Sequence, residues 1–153
     1  MVDPADAGVL VAAAHLHDIG HAPELAAFGF HPLDGACWLE DQGLDRLAGL
    51  VAHHTAATFE AEARGFAPAM SHFPDERSAV SDALTYCDLT TGPEGEPVSV
   101  AERLGEIERR YGSASLVVRS LGQASETILA MVERTELRLP QRTDDNVIPR
   151  SLS

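Results

Sequence analysis

Residues 9–20 read VLVAAAHLHDIG, an apolar segment of helical character that ends in His17-Asp18 and is stopped by Gly20. Side chains of the same two types follow downstream, each near the end of a predicted helix or in the turn beside it: His31, His53, His54 and Asp88. Imidazole and carboxylate groups bind transition metals without thiols. They are rare on an apolar helix face unless a partner pairs with them. The pattern predicts a metal site assembled from several helices.

The composition indicates a single helical domain with a core of small side chains. The chain has 153 residues, 44% of them hydrophobic and only 5% aromatic, so Ala, Leu and Val must supply most of the core. The two cysteines, Cys37 and Cys87, belong to no CxxC pair, which argues against thiolate zinc and against a disulfide scaffold. The longest early apolar run, 9–14, is too short to span a bilayer. We therefore expect a cytoplasmic protein without membrane contact.

The formal charge of −13 excludes a nucleic-acid polymer as partner, because such binding depends on basic groups that neutralise phosphates. A small phosphorylated ligand stays compatible with this charge, since a divalent metal can supply positive charge locally.

Helical patterns extend over nearly the whole chain, and no strand pattern is found. We predict an all-α, compact multi-helix domain over residues 1–139, with a loop at 91–98 and a polar, disordered tail at 140–153. Ser99 and Glu102 form a predicted capping box. The predicted helices cover 9–19, 23–28, 32–43, 44–54, 59–64, a segment opened by Pro74, 99–110 and 115–139.

Four sequence elements, in order, resemble the HD superfamily of metal-dependent phosphohydrolases: HDIG at 17–20, HPLDGA at 31–36, VAHH at 51–54 and YCD at 86–88. The resemblance implies an HD-domain helical bundle. It implies that His17, Asp18 and Asp88 are metal ligands and that Asp18 is the catalytic carboxylate, bridging two ions where two are bound. Further metal ligands would come from the remaining histidines of these elements: His31, His53 and His54.

The chain departs from the family pattern in two places. The family has one more histidine on an earlier helix, whereas the sole upstream histidine here is His15, which points away from His17 on a helix. We therefore expect either a start upstream of Met1 or a truncated form with an incomplete site. In addition, no Gly-Tyr-Pro element follows His53-His54, which argues against the cyclic-dinucleotide phosphodiesterase branch.

The expected chemistry is hydrolysis of a small phosphorylated metabolite or nucleotide. A metal neutralises phosphate oxygens and lowers the pKa of bound water from about 15.7 towards about 7, so the expected step is attack of a metal-bound hydroxide on phosphorus. Mixed His and Asp ligands suit one or two ions of Mn, Fe, Co, Ni or Zn. Mg is a weaker candidate, because it accepts fewer imidazoles.

Substrate contacts are predicted for His21, Arg64 and Arg77, which flank the proposed site, whereas Arg109 and Arg110 are interpreted as part of a solvated helix face. Two alternatives stay open. One is a catalytically impaired HD-fold module for binding or oligomerisation, with the last helix contributing to a homodimer surface. The other is an HD-type di-iron oxygenase.

Overall fold

Within residues 3–140, which the computed structural model describes, the chain forms nine α-helices and no β-strand. This confirms the all-α prediction. Short 3₁₀ turns lie at Ile19–His21, Pro23–Leu25 and His54–Ala56. The helices are α1 (Pro4–Leu16), α2 (His31–Asp41), α3 (Asp45–His53), α4 (Thr58–Arg64), α5 (Ala67–Met70), α6 (Ala79–Thr90), α7 (Val100–Tyr111), α8 (Leu116–Gln123) and α9 (Ser125–Arg138).

The predicted tail at 140–153 lies outside the described residues, except for Pro140. No helix in the described part of the chain combines the length and the apolar character needed to cross a bilayer.

Small side chains let the helices approach closely, as the composition predicts. Helix α2 packs against α3, and their interface buries Ala36, Ala48 and Ala52 completely or almost so. Helix α6 contacts α1 on one side and α9 on the other, with Leu84 and Leu89 fully buried. Helix α6 also contacts the 3₁₀ turn at His54–Ala56, so it fixes α1 and the turn after α3 relative to each other.

Gly20 brings the turn after α1 directly against α2. A Cβ atom at this position would lie 2.0 Å from the carbonyl oxygen of His31 and 2.6 Å from the backbone nitrogen of Gly35. Only glycine permits this approach, which places the His17-Asp18 step beside the first turn of α2.

Two helix boundaries differ from the sequence prediction. Helix α6 begins at Ala79 rather than at Pro74, because Ser78 forms a capping box with Ser81 and Arg77 has φ +44°, a left-handed conformation that no helix contains. The predicted helix at 115–139 is two helices, divided at the buried Ala124. The division lets α8 pack on α4 while α9 packs on α6.

The remaining predicted elements are confirmed with smaller changes. Helix α1 ends at Leu16, so His17 and Asp18 lie just beyond it rather than inside it. The segment 23–28 contains only a 3₁₀ turn. Ser99 and Glu102 form the predicted capping box at the start of α7.

Candidate metal centre

Five of the six predicted ligands each lie within 3.7 Å of at least one other. The Nε2 atom of His31 lies 3.4 Å from Oδ1 of Asp18 and 3.3 Å from Nε2 of His54. The Nε2 atom of His17 lies 3.5 Å from Oδ2 of Asp18 and 3.7 Å from Oδ1 of Asp88. One ligand atom from each of Asp18, His31 and His54 falls within 4.8 Å of the others, a spacing that a single cation can span.

Backbone carbonyls fix the orientation of two of these imidazoles. The Nδ1 atom of His17 donates to the carbonyl oxygen of Ala14 at 2.9 Å, and Nδ1 of His54 donates to that of Val51 at 2.6 Å. Because a carbonyl only accepts, Nδ1 carries the proton in each ring. Nε2 then faces the group formed by His17, Asp18, His31, His54 and Asp88, which we call the cluster. Metal-binding histidines characteristically use this second hydrogen bond to fix tautomer and ring orientation. The rings therefore have the geometry of ligands.

Burial keeps His31 and His54 uncharged. Desolvation, reinforced by neighbouring histidines, lowers the pKa of His31 to about 2. Desolvation likewise lowers the pKa of His54, outweighing the attraction of Asp88. Both rings are neutral at physiological pH, which is the form that binds a metal.

The carboxylates give the same point a strong affinity for positive charge. Burial alone would lower the pKa of His17, but Asp88 and Asp18 outweigh it and raise this pKa to about 9. Burial alone would raise the pKa of Asp88, but His17, His54 and a hydrogen bond from Thr55 hold it well below its usual range. At neutral pH His17 is therefore protonated and pairs with these carboxylates, and it would have to release that proton to bind a metal.

Thr55 holds Asp88 in place at the cost of backbone strain. Its hydroxyl donates to Oδ2 of Asp88 at 2.5 Å, and its backbone N–H donates to the Thr85 hydroxyl at 3.1 Å. Thr55 has φ +49° and Ala56 has φ +56°. A β-branched residue in this region is a true outlier, and such strain concentrates at functional sites.

Three side chains of the cluster, Asp18, His31 and His54, are placed so that they could hold a metal ion. The surrounding set contains imidazoles and carboxylates without a thiolate: the buried or half-buried His17, His31, His54 and Asp88, and the exposed Asp18. The side chain of Asp18 is 54% exposed, so the cluster opens to solvent on that side.

His53 does not join the cluster, and its predicted role as a ligand is not supported. Its Nε2 donates to the Phe73 carbonyl at 2.9 Å and its Nδ1 lies 3.2 Å from the Thr58 hydroxyl. Helix α3 ends at His53, and the turn that follows sends His53 and His54 in different directions. Both ring nitrogens of His53 are engaged in structural contacts.

Of the predicted substrate contacts, only His21 lies at the cluster. Its ring stacks on that of His31 with centroids 4.0 Å apart, and its Nε2 lies 3.8 Å from Asp18. Arg64 instead pairs with Glu60 and covers the Phe30 ring. Arg77 is 83% exposed, pairs with Asp75 and borders a different cavity, beside His53. The predicted roles of Arg64 and Arg77 are therefore not supported by their positions.

Helix α7 supplies residues that the sequence analysis did not predict. Together with the cluster, Arg103 and Arg110 line a cavity of about 130 Å³. Arg103, Ile107, Arg110 and Tyr111 recur at helical spacing and so share one face of α7. That periodicity was a usable signal, but the alternating Glu and Arg residues around it resemble a solvated face.

Comparison with models of known protein families found no match for this chain. Comparisons with curated proteins and with solved structures found no match either.

Proposed function

We propose that this protein is a metal-dependent phosphohydrolase of the HD type that acts on a small phosphorylated substrate. The observation that carries the proposal is the convergence of His17, Asp18, His31, His54 and Asp88 from distant parts of the chain. Two of the histidines are oriented by backbone carbonyls in the manner of metal ligands.

In this proposal, His17, Asp18, His31, His54 and Asp88 would hold one or two divalent ions. A bound transition metal supplies Lewis acidity toward phosphate oxygens and lowers the pKa of water. Asp18 is the exposed member of this set; it would bind the metal from the solvent side, and its carboxylate would also orient a water molecule there. His21 packs on the solvent side of His31 and keeps that ring in place.

The surroundings of the site favour a small substrate over a polymer. The cavity beside the cluster measures about 130 Å³, which is below the range of about 300–1,000 Å³ typical of larger ligand sites. The net charge of −13 opposes binding of nucleic-acid polymers. The cytoplasmic location and the homodimer stay predictions.

The test combines elemental analysis with a panel of phosphomonoesters and phosphodiesters. The purified wild type is compared with Asp18→Ala and with His72→Gln. His72 is a suitable control because it is 63% exposed and pairs with Glu40 away from the cluster. We expect the wild type and the control to bind metal and hydrolyse a panel member, and Asp18→Ala to lose both.

Unchanged metal content in Asp18→Ala would contradict the proposal. If the wild type bound no metal and hydrolysed nothing, the result would favour the alternative function, a module for binding or oligomerisation. Bound iron with an optical signature and no hydrolysis would replace it with the oxygenase.

A further inference from the structure

The guanidinium of Arg103 points toward Asp88 in the candidate metal centre, and one of its nitrogens has no hydrogen-bond partner among the described residues. Its Nη2 lies 3.8 Å from Oδ1 of Asp88, while its Nη1 donates to Glu106 at 2.6 Å. Its buried Nε has no hydrogen-bond partner among the described residues. The side chain is only 15% exposed. A guanidinium offers five N–H donors, so Arg103 retains capacity for an anionic ligand.

Arg110 lies on the same face of α7 as Arg103. It is 48% exposed, pairs with Glu106 at 2.6 Å and borders the same cavity as Arg103. Glu106 thus contacts both arginines and holds them on one side of α7. These two guanidinium groups share one carboxylate, so the three side chains together keep one positive charge, which favours an anionic ligand.

The far wall of the cavity is apolar. Ile107 and Tyr111 of α7 line it together with Val117 and Leu121 of α8. Tyr111 is 46% exposed, so one edge of this wall is open to solvent. The lining of the cavity therefore combines charged side chains, Glu60 among them, with an apolar group from α7 and α8.

We propose that Arg103 and Arg110 bind the phosphate of a small monoester whose alcohol carries an apolar or aromatic ring, seated between α7 and α8. Hydrolysis of this monoester rests on the proposed function, whereas its binding by the two arginines does not. Arg103 holds phosphate oxygens beside Asp88, and Tyr111 contacts the ring.

The test measures equilibrium binding by calorimetry, with inorganic phosphate, glycerol phosphate and phenyl phosphate as probes. The variants are Arg103→Gln, Arg110→Gln and Tyr111→Ala. Arg109→Gln is the matched control, because Arg109 is exposed on the same helix and does not line the cavity. Metal content is measured in every sample.

We expect phenyl phosphate to bind more tightly than glycerol phosphate. Arg103→Gln is expected to weaken both about 10- to 100-fold, the usual effect of losing a hydrogen bond to a charged group. Arg110→Gln is expected to weaken them less, since Arg110 is more exposed. Tyr111→Ala is expected to remove the preference for phenyl phosphate and leave inorganic phosphate binding unchanged. Arg109→Gln and the metal content are expected to stay at wild-type values.

Equal losses in Arg103→Gln and Arg109→Gln would overturn the inference, as would loss of metal from Arg103→Gln, which would make this arginine a support for Asp88. Binding of the probes without hydrolysis would leave the inference standing and refute the proposed reaction. Metal-dependent hydrolysis that is unaffected by Arg103→Gln would support the proposed reaction and refute the inference about Arg103.

Discussion

The Nε2 atoms of His31 and His54 face each other at 3.3 Å, although the two residues are 23 positions apart in the sequence. The Nδ1 proton of His54 is committed to the Val51 carbonyl, so its Nε2 presents a lone pair to His31. Burial lowers the pKa of both rings, which keeps them neutral. Two neutral imidazoles with converging nitrogens beside Asp18 form a donor set ready for a cation.

The adjacent histidines at the end of α3 are expected to have separate roles. His54→Gln removes a nitrogen from the cluster and should reduce bound metal at least about tenfold, as loss of ligand geometry does. His53→Gln should retain metal but lose about 1–2 kcal/mol of unfolding free energy, because the Phe73 carbonyl loses its donor. Metal analysis and urea denaturation check both. If only the His53 variant lost metal, His53 would be a metal ligand, as the sequence predicted, and His54 would not.

Thr55 is expected to tune the site through Asp88. Thr55→Val keeps the shape of the side chain but removes the hydroxyl that donates to Asp88, and metal affinity should fall about 10- to 100-fold. Thr90→Val is the control, since the Thr90 hydroxyl donates to the Tyr86 carbonyl within α6. Titration with a chelator measures both affinities. Equal affinities in the two variants would show that Asp88 needs no such support.

Gly20→Ala is expected to separate the turn after α1 from α2. The new Cβ would overlap the His31 carbonyl, and the cost should be about 1–3 kcal/mol of unfolding free energy, with a matching loss of bound metal. Gly8→Ala is the control, because Gly8 lies within α1 and has open space around it. That control should gain about 0.5–1 kcal/mol from helix propensity. Thermal unfolding measures the stability of both variants. A Gly20→Ala variant as stable as the wild type would contradict the close contact between Gly20 and α2.

The ion pairs of Asp82 are expected to make stability depend on pH. Burial by itself raises the pKa of Asp82, but hydrogen bonds from Arg134 and Arg138 outweigh it and hold the pKa below its usual value. Asp82→Asn should therefore lose about 1–2 kcal/mol at pH 7, less than a fully buried pair, since both arginines keep contact with water.

A depressed folded-state pKa stabilises the protein above the unfolded value of about 3.9 and ceases to do so as the pH falls through the folded value. The difference in unfolding free energy between the wild type and Asp82→Asn should stay constant from pH 7 to about pH 5 and shrink below about pH 4. Urea denaturation at pH 7, 5 and 3.5 measures it. Asp75→Asn, in an exposed pair with Arg77, is the control and should change little. A difference that grows in acid would contradict the assignment.

Local chemistry let the sequence alone determine the class of fold and most of the ligand types. Apolar periodicity predicts the helices, and Ser99 with Glu102 marks the start of α7, because capping depends only on neighbouring residues. The candidate ligands at 17–18, 31, 53–54 and 88 were predicted because polar groups at the ends of apolar helices require a partner. The start of α6 was misplaced, since Pro74 is a weaker signal than the capping box at Ser78.

Only the tertiary structure decided which side chains share the site. His53 and His54 are neighbours in sequence, and the turn after α3 alone separates their directions. Arg64 and Arg77 flank the ligand segments in sequence yet point elsewhere, whereas Arg103 reaches Asp88 from a helix that follows a loop. The reason is physical: spacing along one helix fixes a face, but the packing of α6, α7 and α8 fixes which faces meet.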